Sequence, residues 1–483
     1  MKKFLRYLAA AVLTLCAVQA VAFAEAPVTV QLNGQNIVFT DAQPQIVNDR
    51  TFLPVRAVFE AMGAAVDFED GVVTATRGGK TVSMTVGSTA ATLTEDGAAT
   101  ALTMDVAPFI DPALGRSYVP VRFAAQALGA NVGWDAAKRT VIIVDVEKQL
   151  ENALAGKSFT YLEKFDEYSR KYNTGIWNSE VAAEGAMDIE LGDLIGPGIL
   201  FKLSVPFSVE AKGVAQDGEK VEVAEKITVD LSALKSLLLS SKEEADAETT
   251  AMVENMIKAL STDGVNVAVR GDLSAGKLYM SIDLSALGEE LAGTLDADTW
   301  YVVDYSALGI DLAKLMAQAK NVDYKALAED VLASTELNDA ERDYAELDAL
   351  LKTVVNSLSD GGFTKKGDVC TTSIEQEIGG IMCKLTLSLT VKNGAVAAYG
   401  LDMAVNGDIE DVGKLNWSIK MDVNEQDKIS GSMTMNVMDM VEASFDLTGG
   451  YVKGGTAPQT EPPAGARLID IADADSALSG LGG

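Results

Sequence analysis

From Gly175 onward, apolar and polar residues alternate in one long segment after another, the period-two pattern of strands with one face packed and one face wet. Such segments fall near 176–191, 199–214, 219–229, 265–272, 277–283, 299–303, 368–374, 382–391, 396–405, 415–423 and 429–437. Helical spacing interrupts them at 241–261, 311–332 and 342–358. Long consecutive strands with a few inserted helices predict one large antiparallel sheet in an α+β domain over 173–453, long enough to bury a substantial core. The front of the chain has a shorter rhythm. Alternating stretches at 28–39, 72–76, 81–86 and 140–145 predict half-buried strands, and two short helices lie among them. Pro54 and Pro120 open these helices, since a fixed φ suits the first turn and the missing N–H costs nothing there. Gly63 and Gly129 close them in the left-handed conformation. Val55, Val58, Phe59 and Met62 form one apolar stripe; Val121, Ala124, Ala125 and Leu128 form the other. Helices this short must pack onto their sheet. Residues 147–172 read as a helical connector between two independently folding parts.

The two helices belong to a repeat. RTFLPVRAVFEAMGAAV at 50–66 returns 66 positions later as RSYVPVRFAAQALGANV, with eight of seventeen positions identical. Arg50, Pro54, Arg56 and Gly63 match Arg116, Pro120, Arg122 and Gly129. The fold expected is therefore α+β: a small duplicated strand–helix–strand module, then a large antiparallel sheet with a few packed helices. The paired R-[TS]-[FY]-[LV]-P-V-R, the [ML]-G-A after each, the opening VTVQLNGQNIVF and the closing GWDAAKRTVIIVD resemble the N-terminal, stalk-like domain of copper amine oxidases, over residues 27–146. The resemblance implies an adaptor module often found at the front of exported proteins. It does not bring the enzyme with it. Those oxidases hold copper with three histidines and build a quinone from a tyrosine in N-Y-[DE]; this chain has no histidine and no Asn-Tyr pair.

The lack of histidine also excludes Ser/His/Asp triads, Cys/His dyads and the usual zinc, copper and iron sites. Carboxylate chemistry survives in a chain with 70 acidic residues, but Asp470, Asp473 and Asp475 lack the glycine and distal glutamate of a calcium loop. No enzyme, cofactor or metal site is expected. Arg56 and Arg122 each lie two residues after a helix-opening proline, where the helix end is itself positive. Two readings are open: each guanidinium bonds to carbonyls or a carboxylate of the adjoining strand, or the pair binds an anion at the surface.

Lys2, Lys3 and Arg6, the apolar run 8–21 and Ala22-Phe23-Ala24 read as a secretory signal over 1–24, cleaved after Ala24. Leu15 before Cys16 is too large for lipoprotein processing. The expected location is secreted or at the cell surface, periplasmic where the organism has an outer membrane, with no membrane span after cleavage. A net charge of −31, more negative once the signal is gone, repels nucleic acid and favours solubility. Cys370 and Cys383 lie in neighbouring alternating segments, so a cross-strand disulfide is the leading reading, with free thiols and a two-thiol metal site as the others. The Gly/Pro/Ala/Asp-rich tail 454–483 is expected to be largely disordered.

Asp230-Leu-Ser-Ala-Leu234, Asp283-Leu-Ser-Ala-Leu287 and Asp304-Tyr-Ser-Ala-Leu308 each follow a strand. They read as strand-to-helix corners, capped by Asp and Ser side chains, in preference to a repeated ligand contact. The order of long strands and helices resembles the LolA-like lipoprotein-carrier architecture, a curved sheet over an apolar cavity. On that resemblance one face would carry Met187, Ile189, Leu191, Met280, Ile282, Met403, Met433, Met435 and Met438, and methionine suits an adaptable apolar surface as well as an ordinary core. The partner expected is a cell-envelope component, a protein or an apolar ligand.

Overall fold

The computed structural model describes residues 27–190, 202–235, 247–287, 295–307, 324–378, 380–409, 413–438 and 440–470, apart from positions 49 and 96. The expected signal, Leu191, residues 471–483 and parts of the expected helices at 241–261 and 311–332 lie outside the described residues. The chain divides into two compact units, one of residues up to Ala155 with Tyr324–Lys352, the other of Gly156–Asp323 with Thr353–Gly483. Each unit thus draws on two stretches of chain: the break after Ala155 falls inside the 147–172 stretch read as a connector, while Tyr324–Lys352, expected within the 173–453 domain, belongs to the first unit.

In chain order the first stretch carries β1 (Thr29–Leu32), β2 (Gln35–Asn36), β3 (Gln45–Val47), β4 (Arg50–Pro54), α1 (Val55–Ala61), β5 (Ala65–Glu69), β6 (Val72–Arg77), β7 (Lys80–Thr85), β8 (Ala90–Glu95), β9 (Ala98–Thr103), β10 (Phe109–Asp111), β11 (Arg116–Pro120), α2 (Val121–Ala127), β12 (Ala130–Asp135), β13 (Thr140–Asp145) and α3 (Val146–Leu154). There follow α4 (Thr160–Arg170), β14 (Ile176–Glu190), β15 (Lys202–Gln216), β16 (Lys220–Val229), α5 (Ala247–Thr262), β17 (Val265–Asp272), β18 (Lys277–Asp283), β19 (Thr299–Asp304), α6 (Tyr324–Ser334) and α7 (Asp343–Leu358). The last stretch holds β20 (Thr364–Lys366), β21 (Val369–Ile378), β22 (Ile381–Lys392), β23 (Ala395–Ile409), β24 (Gly413–Val423), β25 (Lys428–Val437), β26 (Val441–Lys453) and β27 (Arg467–Asp470).

In the first unit three small sheets surround one core. Their orders are β12-β13-β1-β2, β10-β11-β4-β3 and β5-β6-β7-β8-β9. Pro54 and Pro120 are the cap residues of α1 and α2, ending β4 and β11 in extended conformation. Gly63 and Gly129 end the helices with φ of 81° and 82°. The passes β4-α1-β5 and β11-α2-β12 have the same order, and β4 pairs antiparallel with β11. Val55, Val58, Phe59 and Met62 pack with Val121, Ala125, Leu128, Val141 and Ile143.

β13 departs from the half-buried reading. All six of its residues are buried, because a second layer covers the face opposite the core. α6 contacts α3 and β12. The Asn131 amide donates to the carbonyls of Leu332 and Thr335 at 2.9 and 2.6 Å, Trp134 N donates to Leu337 O at 3.1 Å, and Ala340 N donates to Asp135 Oδ2 at 2.9 Å. The chain passes so close that a Cβ on Gly133 would lie 1.9 Å from Leu337 O. The uninterrupted Val-Ile-Ile-Val run was the sequence signal for this double burial.

In the second unit fourteen strands form one sheet in the order β20-β21-β22-β23-β24-β25-β26-β14-β15-β16-β17-β18-β19-β27. Two meanders, β14 to β19 and β20 to β26, join where β26 pairs with β14. All pairings are antiparallel except β19 with β27. β27 lies within the 454–483 stretch expected to be largely disordered: Arg467 donates to Thr299 Oγ1, Gln459 N to Glu222 Oε2 and Arg270 Nη1 to Glu461 O, which fasten residues 459–467 to β16, β17 and the start of β19.

Candidate functional site

Two places gather side chains suited to binding. The first is in the front unit. Arg50 opens β4 and its Nε lies 2.5 Å from Asp105 Oδ2; Arg116 opens β11 and lies 2.5 Å from Asp41 Oδ2. The hydrogen bond from Arg50 holds the Asp105 carboxyl below its ordinary range. Arg56 and Arg122 follow one residue inside each helix and both are exposed. Arg56 reaches Glu60 on its own helix at 3.5 Å, and Arg122 makes no ion pair among the described residues. Bonding of these two guanidiniums to an adjoining strand is therefore corrected: solvent tolerates the two cations, and the strand-borne pair Arg50 and Arg116 does the bridging. Beside each helix lies an open hollow. One of about 580 Å³ is lined by Arg50, Thr51, Asp105, Arg122, Phe123, Gln126 and Trp134 among others. The other, of about 360 Å³, is lined by Asp41, Arg56, Glu60, Asp67, Phe68, Arg116 and Ser117 among others. Sequence reasoning singled out the arginines but missed Gln126 and Trp134, whose signal was their difference from Glu60 and Phe68 at matching positions.

The second place is a face of the large sheet. Residues directly opposite in an antiparallel ladder share a face. Following the register from β21 to β16 gives Ile374, Leu385, Met403, Ile419, Met433, Phe445, Gly185, Phe207 and Val229 in one row. The adjacent row on the other face reads Ser373, Thr386, Asp402, Lys420, Ser432, Asp446, Glu184, Ser208 and Thr228. One face is apolar across nine strands and the other polar. Met187, Ile189, Met280, Ile282, Met403, Met433 and Met435 all fall on the apolar face, as do Trp417 and Val405. Met438 does not: it sits in a turn with φ 60° and is 43% exposed.

α4 covers one end of this face. Its Tyr161, Leu162, Phe165 and Tyr168 pack on Leu387, Leu389, Val396, Tyr399 and Leu401. Tyr172 meets Trp177 and Tyr451 edge-on or tilted, at 4.8 and 4.9 Å. Burial in this aromatic cluster pushes the Tyr399 hydroxyl up to about 12. Asp427, in the turn between β24 and β25, ties the cluster down by accepting from Lys171 Nζ at 2.5 Å, Tyr172 OH at 2.8 Å and Tyr168 OH at 3.2 Å. Away from α4 the face is only partly covered. Met403, Ile419, Met433, Met435, Trp417 and Phe445 are of intermediate burial and Met187 is 38% exposed. A Cβ on Gly185 would lie 2.5 Å from the Phe445 Cβ, and the Phe445 and Phe207 rings flank that glycine with centroids 6.2 Å apart.

Cys370 and Cys383 are both free, which corrects the expected disulfide. The two strands are neighbours as expected, but Cys370 pairs with Leu389 and Cys383 with Gln376. Six residues of strand, roughly 20 Å, therefore separate them, against less than about 7 Å between the Cα atoms of a disulfide. The Asp-Leu-Ser-Ala corners are capped turns. Asp230, Asp283 and Asp304 each accept from the backbone N–H two residues on, at 2.9, 3.0 and 3.0 Å. Asp272 does the same with Ser274, a fourth such corner in which Gly276 stands in place of the final leucine. Their serine hydrogen bonds hold Asp230, Asp272 and Asp304 below the ordinary carboxylate range. Among the described residues no three His, Cys, Asp or Glu side chains converge as for a metal ion, and no helix is long and apolar enough to cross a membrane.

No curated protein matches this chain. Among solved structures it is similar to Neisserial surface protein A, at 8% identity over 58% of this chain and 98% of that one, with a TM-score of 0.13. It is also similar to the translocator domain of the autotransporter NalP from Neisseria meningitidis, at 9% identity over 60% and 93%, with a TM-score of 0.14. A third is a triple mutant of the Rhodopseudomonas blastica porin, at 7% identity over 57% and 100%, with a TM-score of 0.15. Likeness at TM-scores this low carries no argument about fold or function. Residues 31–143, which run from β1 into β13, match the family described as Copper amine oxidase N-terminal domain.

Proposed function

We propose that this chain is a non-catalytic binding protein of the cell envelope or exterior, in which the large sheet binds an apolar ligand and the front unit, a duplicated module, acts as an adaptor. The observation that carries the reading is the apolar row through Met403, Ile419, Met433 and Phe445, continuous across the ladder and incompletely covered beyond α4. An uncharged row this long is costly to leave wet, and methionine adapts to chains of differing shape. The N-terminal stretch with Lys2, Lys3, Arg6 and its apolar run supports export. The absence of histidine from the sequence supports a role without catalysis.

Organic extraction of the purified full chain followed by mass spectrometry should release an apolar compound. The emptied protein should then bind the fluorescent apolar probe ANS. Ile419→Glu places a charge in the middle of the row and should abolish that binding while the protein still melts cooperatively. An extract without apolar compounds, together with ANS binding that Ile419→Glu leaves unchanged, would sink the reading.

A further inference from the structure

The two hollows of the front unit are built from matching positions but differ in charge. In the hollow beside α1 both guanidiniums have carboxylate partners, Arg116 with Asp41 and Arg56 with Glu60, and Asp67 adds a third carboxylate. In the hollow beside α2, Gln126 stands where Glu60 stands and Gly133 where Asp67 stands. Among the described residues Asp105 is the one carboxylate in its lining, and it is taken by Arg50. Arg122 is left exposed with no ion pair among the described residues. Counted over the described residues, one lining is therefore net negative and the other net positive, in a chain whose overall charge is −31.

The positive hollow has more than charge. Phe123 and Trp134, both of intermediate burial, offer ring surface; Gln126 and Thr51 offer neutral donors and acceptors. Its volume of about 580 Å³ lies within the size of small-ligand sites, roughly 300–1,000 Å³. A guanidinium presents a planar fork matched to a carboxylate or phosphate, and an aromatic face matches the C–H face of a sugar ring. We propose that this hollow binds an acidic saccharide unit, with the anion on Arg122 and the ring against Trp134 and Phe123. This deepens the adaptor role proposed for the front unit by naming what it grips, and it is independent of the apolar face of the sheet.

Ligand-observed NMR on the full chain tests this, with glucuronic acid, glucose 6-phosphate and glucose as probes at low salt. Binding is expected for one or both anions, which decides between carboxylate and phosphate, and not for glucose; about 0.5 M salt should weaken it. Arg122→Gln removes the cation at an exposed position, and Gln126→Glu restores the acidic partner that Arg56 has. Each should weaken anion binding roughly tenfold or more, as loss of a charge-assisted contact does. Arg56→Gln, in the other hollow, should leave it unchanged. Equal responses to glucose and the anions, no response to any probe, or binding that persists in folded Arg122→Gln would overturn the proposal. Retention of the full chain on isolated cell walls with no effect of Arg122→Gln would also overturn it while leaving the adaptor reading intact.

Discussion

Asp427 joins three elements through one carboxylate. It lies in a tight turn with φ 58°, and it accepts from Lys171, Tyr172 and Tyr168, while Lys171 also sits 3.9 Å over the Tyr168 ring. Burial alone would raise its pKa. The hydrogen bonds from Lys171 and the two tyrosines outweigh burial and hold it below the ordinary value. A folded pKa below the unfolded one gives stability that is full above about pH 4 and is lost as pH falls through the lower folded value. Asn keeps the shape and tolerates the left-handed turn, so Asp427→Asn isolates the charge. The expected outcome is a loss on the order of 1–2 kcal/mol at neutral pH that shrinks towards pH 3. Thermal melts of both proteins between pH 2.5 and 7 measure it, and a difference that stays constant across that range would refute the role of the charge.

Among elements, legibility followed side-chain contrast. β17 and β18 have the bounds that alternation predicts, and α1 and α2 lie between the proline and glycine that punctuate them. β8 and β9 were missed because Ala-Ala-Thr-Leu-Thr-Glu and Ala-Ala-Thr-Ala-Leu-Thr offer little contrast between faces. The register of β21 against β22 was invisible for another reason: alternation says which face a cysteine takes, but only the hairpin turn says which residue it meets. So the methionine face was legible and the disulfide was misread. β26 was missed although Val441, Ala443, Phe445 and Leu447 alternate with polar residues, since Gly449 and Gly450 break the pattern. Those glycines are there for packing. A Cβ on Gly449 would lie 2.4 Å from Glu180 O and 3.0 Å from Val181 Cα. Gly449→Val should therefore force β26 from β14, the seam of the two meanders, and cost about 2 kcal/mol or more. A chemical-denaturation midpoint unchanged from the parent protein would show that this seam gives way without cost.

Across the whole molecule, the first unit is built from two distant stretches, and nothing local in the sequence announces it. Amphipathic helices such as α6 and α7 state that one face must be covered without naming the partner, so their proximity in sequence to the large sheet assigned them there. The packing is specific. Tyr344 donates to Gln149 Oε1 at 2.8 Å, Lys138 reaches Asp339 at 3.0 Å, and a Cβ on Gly34 would lie 2.6 Å from the Tyr344 ring. Ile142, Val144 and Leu150 are at most 2% exposed, and Leu332, Leu337 and Leu347 are buried in the same unit. Each large apolar side chain returned to water costs roughly 1.5–3 kcal/mol, so losing the cover from a few of them reaches the 5–15 kcal/mol by which a whole domain is stable. A fragment of residues 27–155 alone should therefore aggregate or unfold without a cooperative transition. The same fragment joined through a flexible Gly/Ser linker to residues 324–352 should be soluble and melt cooperatively. Calorimetry of the two fragments side by side is the measurement, and a cooperative transition of equal midpoint in both would mean that the helical cover contributes nothing to the fold of the front unit.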